Sequence, residues 1–482
     1  MSSATRPSGT QTDGIEKERH DEGTMSNDSV RPRAVRPLEV ERAKPVQAPF
    51  RGRIALIIAA SMAAGLVIAM ALVAAPFIPA RPNVLTGVVL LAFALGWALL
   101  TILSVQLSDQ PQRWAAAPAV FLTVAGLIAL LGPDTVVGEG FRWVWPPLLL
   151  VIVVWSITRA RRRAPRRARR WMVYPLLAVL ALSAIGGGYE TVRESIDAAA
   201  YPMPGQLIDV GGHRLHLNCT GSGSPTVILE PGLGEVSAGM AWVAADVAQD
   251  SQVCVYDRAG RGWSDAADGP QDAVQTATDL HRLLNQAHIP GPYVLAGHSF
   301  GGLYVLSFAA QYPDQVAGMV LLDSTSPAAG PAPAATRSDD FAGRISMLVA
   351  APANLGVAHL LGDSYDSLPP QSRGEARASV STARSVQSFI NEFREGAAAT
   401  HQAATLVDFA GKPLIVITAG RGHDGSWMAA QDKLVALSSN SQHRVVADAT
   451  HPSLVLDQTD AAAASKGIRD VVAAVRSSRP LE

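Results

Sequence analysis

The spacing of apolar residues divides the chain into three stretches. Residues 1–53 are rich in Ser, Thr, Pro, Arg, Asp and Glu and show almost no apolar periodicity. Such a segment cannot bury enough surface to offset the entropy lost on ordering, so a disordered tail is expected there. Residues 54–188 hold five apolar runs: Ile54–Ile78, Leu85–Leu107, Ala115–Leu131, Val144–Ile157 and Trp171–Gly188. The first two are long and uncharged, and each can cross a hydrocarbon core, which takes about 20 residues. The third is shorter and Ala-rich. The fourth is short and contains Pro146 and Pro147. The pattern predicts an all-α transmembrane bundle of five helices, then a linker over 189–202. The other reading of the short runs is as buried helices of a water-soluble domain.

From about residue 203 the pattern changes. Short β-type runs alternate with helical ones, the signature of an α/β fold with a mostly parallel sheet. Eight runs qualify as strands: Gln206–Val210, His213–Cys219, Thr226–Glu230, Gln252–Asp257, Tyr293–Ala296, Met319–Asp323, Pro413–Thr418 and His443–Ala447. The last helix places Ile468, Val471, Val472 and Val475 on one face. Residues 325–410 break the alternation, and an insertion above the sheet is expected there.

Composition supports the membrane reading. Hydrophobic residues make up 48% of the 482 and charged residues only 17%, against about 25% charge in a soluble domain. The net charge of −1 gives no global field favouring nucleic acid. Arginine placement sets the topology. Arg159–Arg170 contains eight arginines, and the tail before the first run is also basic. Both belong in the cytoplasm, and four runs, an even number, separate them. The fifth run then carries the C-terminal half out of the cytoplasm, with the N-terminus inside. Trp143, Trp145, Trp155, Trp171 and Tyr174 fall at run ends, where aromatic belts form. The first run begins too far into the chain for a cleaved signal peptide. Ionisable side chains at mid-depth usually mark ion or proton pathways. The runs carry none, so the bundle reads as an anchor, with Gly65, Gly87, Gly96 and Gly126 available for close helix packing.

Three turns carry candidate chemistry. The run Tyr293–Ala296 leads into Gly297-His298-Ser299-Phe300-Gly301-Gly302 and then a helical pattern. This is G-x-S-x-G between strand and helix, which lifts a Ser hydroxyl to a helix N-terminus where a developing oxyanion is favoured. Glu230-Pro231-Gly232-Leu233-Gly234 follows the third strand, and the backbone N–H groups of Leu233 and Phe300 could form an oxyanion hole. His451 lies just past the last strand and is placed to take the Ser299 proton. The acid that would orient His451 has two candidates, Asp424 after the seventh strand, the favoured one, and Asp323 at the end of the sixth. His298 reads as packing. No histidine spacing recommends a metal: His213 and His216, at i and i+3 on a strand, point to opposite faces.

Together with the run Asp257-Arg258-Ala259-Gly260-Arg261-Gly262-Trp263-Ser264, these turns resemble the α/β-hydrolase fold family over about 203–482. The resemblance implies an eight-stranded core, a lid after the sixth strand and a Ser–acid–His triad. It carries the acid at either position in different branches. Pro231 departs from the family's common His-Gly start of the oxyanion turn. A Ser in place of the Asp nucleophile of the family's dehalogenases and epoxide hydrolases favours acyl transfer to water, without cofactor or metal. In the family's sheet order strands two and four are neighbours, which implies a Cys219–Cys254 disulfide, two buried thiols being the other possibility. The expected protein is a membrane-anchored serine esterase acting on small-molecule or lipid esters, in contact with membrane lipids and not with nucleic acid. The competing readings are a ligand-binding sensor or scaffold without turnover, and an acyltransferase or peptidase using the same triad.

Overall fold

Five helices, α1 (Ile54–Ala74), α2 (Pro82–Leu107), α3 (Ala116–Leu131), α4 (Phe141–Arg163) and α5 (Tyr174–Ala200), form where the apolar runs lie. The computed structural model describes residues 54–79, 81–132, 141–163, 169–267, 269–328, 344, 355–360 and 365–482. The expected disordered tail 1–53, part of the arginine stretch and much of the insertion fall outside them. Each of the five segments is long and apolar enough to cross a membrane. Glycines set the crossings. A Cβ on Gly65 would stand 3.3 Å from the Gly96 Cα, and Cβ atoms on Gly87 and Gly126 would each stand 3.0 Å from the other's carbonyl oxygen. Such small residues let the helix backbones approach closely. The expected linker over 189–202 is corrected: α5 continues to Ala200, because Tyr189–Ala200 contains neither Gly nor Pro to stop it.

The rest of the chain is built on one eight-stranded sheet: β1 (Gln206–Asp209), β2 (Arg214–Thr220), β3 (Val227–Glu230), β4 (Val253–Tyr256), β5 (Tyr293–His298), β6 (Val316–Leu322), β7 (Leu414–Arg421) and β8 (Ser441–Thr450). The order is β1-β2-β4-β3-β5-β6-β7-β8. The first two pairings are antiparallel and the others parallel. Central strands are buried on both faces, which explains the unbroken Val-Ile-Leu and Val-Leu-Ala runs of β3 and β5.

Helices cover both faces. α6 (Ala241–Val247) lies on one face, and α7 (Ala273–Gln286) and α8 (Gly301–Gln311) lie on the other. The insertion after β6 contributes α9 (Pro370–Val380) and α10 (Ala383–Ala403). It is followed by α11 (Gly425–Val435) and α12 (Gln458–Ser477). The apolar stripe of α12 packs Ile468, Val471 and Val472 against the same face as α6.

Cys219 and Cys254 are directly opposite each other on β2 and β4 and form a disulfide. The bridge closes a loop of 35 residues, a constraint worth about 2–4 kcal/mol through the unfolded state. Replacing both cysteines by Ala is therefore expected to lower the thermal midpoint by several degrees in a fluorescence melt. Reductant should lower the wild-type midpoint by a similar amount and leave the variant unmoved.

Candidate active site

All the candidate groups converge at the carboxyl ends of the parallel strands, where ligands bind in open α/β sheets. Ser299 follows β5 with φ +55°, in the left-handed region that L-residues avoid. Two ties hold it there: its N–H donates to the Leu322 carbonyl at 3.0 Å, and its own carbonyl accepts from Thr325 N at 2.9 Å. Asp323 follows β6, also with positive φ. His451 follows β8.

His451 Nδ1 donates to Asp323 Oδ2 at 2.6 Å. A carboxylate only accepts, so the proton sits on Nδ1 and the Nε2 lone pair faces Ser299, whose Oγ donates to it at 2.8 Å. Burial would raise the Asp323 carboxyl, but hydrogen bonds from His451, Trp427 and His423 outweigh it and hold the group below the ordinary range. The favoured acid, Asp424, is corrected. It lies outside this chain of bonds and is the N-cap of α11, accepting from the N–H groups of Ser426 and Trp427 at 3.0 Å each.

The expected oxyanion turn lies against the Ser. A Cβ on Gly232 would stand 3.1 Å from the Ser299 Cβ. The N–H groups of Leu233 and Phe300 meet no acceptor among the described residues. Beneath them is a group read from sequence only as packing. The buried His298 ring donates from Nδ1 to Glu235 Oε2 at 3.1 Å and from Nε2 to the His451 carbonyl at 3.0 Å. Both partners are acceptors, so His298 is an imidazolium. Burial opposes that charge, but the Glu235 carboxylate outweighs it and raises the His298 pKa. Glu235 is held at about 2: burial raises it, and His298, together with the Gly232 N–H at 2.6 Å, lowers it further.

Arg258 carries the turn from the other side. Its guanidinium donates to the carbonyls of Pro231 and Gly232 at 2.8 and 2.7 Å. It is neutralised by buried Glu230 at 2.6 Å and by Glu392 of α10 at 2.8 Å. Burial lifts Glu230 to about 7, against the pull of Arg258 and Tyr256. Glu392 also accepts from Gly234 N at 2.9 Å. The insertion is thus bonded into the turn. Phe389 of α10 lies over Gly234, and the Ser385 carbonyl accepts from Arg261 at 2.6 Å.

His423, Trp427, Glu235 and Glu392 went unmarked in the sequence. The buried His216 pairs through Nδ1 with Asp257 Oδ2 at 2.8 Å. The nearest approach to a metal donor set among the described residues is Asp323, His423 and His451, whose ligand atoms lie within 4.8 Å of one another and are joined by hydrogen bonds.

Residues 225–458 match the family model for the alpha/beta hydrolase fold. The chain is 30% identical over 288 residues to an uncharacterised protein of Schizosaccharomyces pombe (strain 972), covering 52% of this chain and 53% of that one. It is 38% identical over 72 residues to an uncharacterised vacuolar membrane protein of Saccharomyces cerevisiae (strain S288c), 15% of this chain and 11% of that one. The chain thus spans about half the length of the first relative and far less of the second. Among solved structures it is similar to a thermophilic esterase from Thermogutta terrifontis, with 21% identity, 56% of this chain and 99% of that one covered, and a TM-score of 0.44. It is also similar to the epoxide hydrolase CorEH, with 20% identity, 55% and 96% covered, and a TM-score of 0.43. The eight-stranded, mostly parallel sheet and the family-model match over residues 225–458 together show the α/β-hydrolase fold in the C-terminal part of the chain.

Two outcomes follow from the buried charges. Arg258→Met leaves Glu230 and Glu392 without their cation, and breaking such a pair costs about 3–5 kcal/mol, so chemical denaturation should show a loss of that order. The Glu235–His298 pair fixes a pH window. The Glu235 part is fully present above its ordinary 4.5 and is lost as pH falls toward about 2. The His298 part is fully present below its ordinary 6.5 and is lost as pH rises through its raised folded value. The stability gap between wild type and Glu235→Gln should therefore be widest between about 4.5 and 6.5 and close toward pH 2 in thermal melts.

Proposed function

We propose that this chain is a membrane-anchored serine hydrolase that cleaves ester bonds through an acyl-enzyme. The observation that carries the reading is the unbroken run of hydrogen bonds from Ser299 Oγ through His451 to Asp323. Ser299 Oγ attacks the ester carbonyl carbon while His451 Nε2 takes its proton. The N–H groups of Leu233 and Phe300 bind the carbonyl oxygen as it becomes an oxyanion. The intermediate collapses, and His451 returns the proton to the departing alcohol. Water, activated by the same imidazole, then releases the acid and regenerates Ser299.

On this reading the five apolar helices serve as the anchor, and the arginine-rich stretch before the fifth supports a hydrolase domain outside the cytoplasm. The disulfide between β2 and β4 accords with that compartment. Contacts of the insertion with the anchor support a lipid ester as substrate. Arg344 donates to the Ile78 carbonyl at 2.7 Å, and the Leu355 carbonyl lies against Gly186 of α5.

A membrane-impermeant fluorophosphonate probe tests the reading on intact cells. Wild type should be labelled and Ser299→Ala should not. Labelling that appears only on lysis would retain the serine hydrolase and overturn the topology. No labelling of folded protein in either state would overturn the activity. With a soluble ester, Asp323→Asn should lose activity by a factor on the order of 10⁴, whereas Asp424→Asn, which keeps the capping oxygen, should keep both kcat and the melting temperature near wild type.

A further inference from the structure

The triad's acid is bonded to a second histidine. His423 Nε2 donates to Asp323 Oδ2 at 2.6 Å, the same oxygen and the same distance as His451 Nδ1. The other oxygen, Oδ1, accepts from Trp427 Nε1 at 2.9 Å and from Ala419 N at 3.3 Å. Four donors thus occupy the carboxylate's two oxygens, which is its full lone-pair capacity. The carboxylate can neither rotate nor turn a free lone pair toward another partner without breaking one of these bonds.

His423 is itself fixed. Its ring stacks on Trp427 with centroids 4.6 Å apart and planes 6° from parallel. Trp427 sits in the first turn of α11, which Asp424 caps through the Ser426 and Trp427 N–H groups. The segment 423–427 is therefore one device: a cap starts the helix, the helix presents an indole, and the indole holds both the carboxylate and the imidazole.

We infer that His423 is a positioning residue of the active site, which fixes the Asp323 carboxylate and shares its Oδ2 with His451. This rests on the serine-hydrolase reading above. His423 does not reach Ser299 by any bond in the structure; it acts through Asp323. Sharing has two consequences. The carboxylate is locked in the plane that orients the His451 ring, so losing the lock lowers the fraction of enzyme with Nε2 aimed at Ser299. The second N–H also draws charge from Oδ2. Without it, Oδ2 is a stronger acceptor and stabilises the His451 imidazolium more. Among the described residues, the charged and titratable groups facing His451 are Asp323, His423, His298, and Glu235 behind His298. Replacing His423 changes only one of them.

The test uses the full-length protein in detergent micelles, with p-nitrophenyl acetate as the soluble ester. His423→Phe keeps a ring to stack on Trp427 and removes the N–H, while His423→Gln keeps an N–H donor. In His423→Phe, kcat should fall by about 10-fold with KM within about twofold, in keeping with the 10²–10⁴-fold typical of an acid–base group itself. The acid limb of the kcat/KM profile should move to higher pH. His423→Gln should recover most of the rate and return the limb toward wild type. If both variants keep the wild-type kcat and pH profile, or if both lose rate equally with the limb unmoved, the inference fails. Fluorophosphonate labelling of wild type and Ser299→Ala separates the two levels: equal labelling sinks the serine-hydrolase reading itself, whereas Ser299-dependent labelling with an unchanged His423→Phe profile sinks only the role of His423.

Discussion

The backbone at Ser299 is the constraint on which the rest of the site depends. A φ of +55° on a non-glycine residue costs on the order of 1–3 kcal/mol and persists only where the surroundings over-determine it. Here three strands do so. A Cβ on Gly297 would stand 2.7 Å from the Gly301 carbonyl oxygen, one on Gly301 2.4 Å from that of Glu230, and one on Gly302 2.4 Å from the Ser324 side chain. The glycines around Ser299 thus let the ends of β3, β5 and β6 close onto one point. That closure brings the turn after β3 and the acid after β6 within reach of a hydroxyl on β5. A larger residue at any of the three positions would push these elements apart and separate the groups before any chemistry could begin.

Around this point the protein solves an electrostatic problem. The oxyanion turn and the His451 loop both need fixed backbone, yet neither is in a helix or strand. Each is held by a buried ion. The His298 imidazolium bonds the His451 carbonyl, and its counter-ion Glu235 bonds the Gly232 N–H, so one pair ties the base loop to the turn. Arg258 holds the two carbonyls of the same turn, and its counter-ion Glu392 comes from the insertion. Buried ions are weak as net stabilisers but strong in direction, because each must keep its partners or be stranded. On the proposed mechanism, the geometry they fix would receive an oxyanion at the turn without reorganisation at the moment of reaction.

The sequence made legible what is local in the chain. Strand–turn–helix context singled out Ser299, position after the last strand singled out His451, and the eight strands fell within a few residues of where they form. The membrane glycines fell at the helix crossings. The acid was not decidable, because Asp323 and Asp424 follow adjacent parallel strands and leave the sheet at the same edge. What separates them is a bond across 128 residues in one case and a local cap in the other. Asp424 did carry a local signal, since Asp-Gly-Ser-Trp at the start of a helical run fits an N-cap. His298 shows the complementary limit. It is adjacent to the nucleophile in sequence, but its partners are 63 and 153 residues away. Long-range pairing of this kind leaves no periodicity to read.

Five apolar helices precede the α/β-hydrolase sheet in one chain. The insertion joins the two. At one end it meets the N-terminal helical region, through Arg344 on the Ile78 carbonyl, Leu355 on Gly186 of α5, and Gly374 of α9 packed on Tyr201 just after α5. At the other end it meets the turn at Ser299, through Glu392 on Arg258 and Gly234 and Phe389 over Gly234. Those groups hold the backbone that would face an oxyanion. A shift of α10 away from the sheet would strand Arg258 with a single buried carboxylate and release the Gly234 N–H. Among the described residues the insertion is thus no passive cover: α10 cannot lift from the sheet without breaking the bonds that hold the turn beside Ser299.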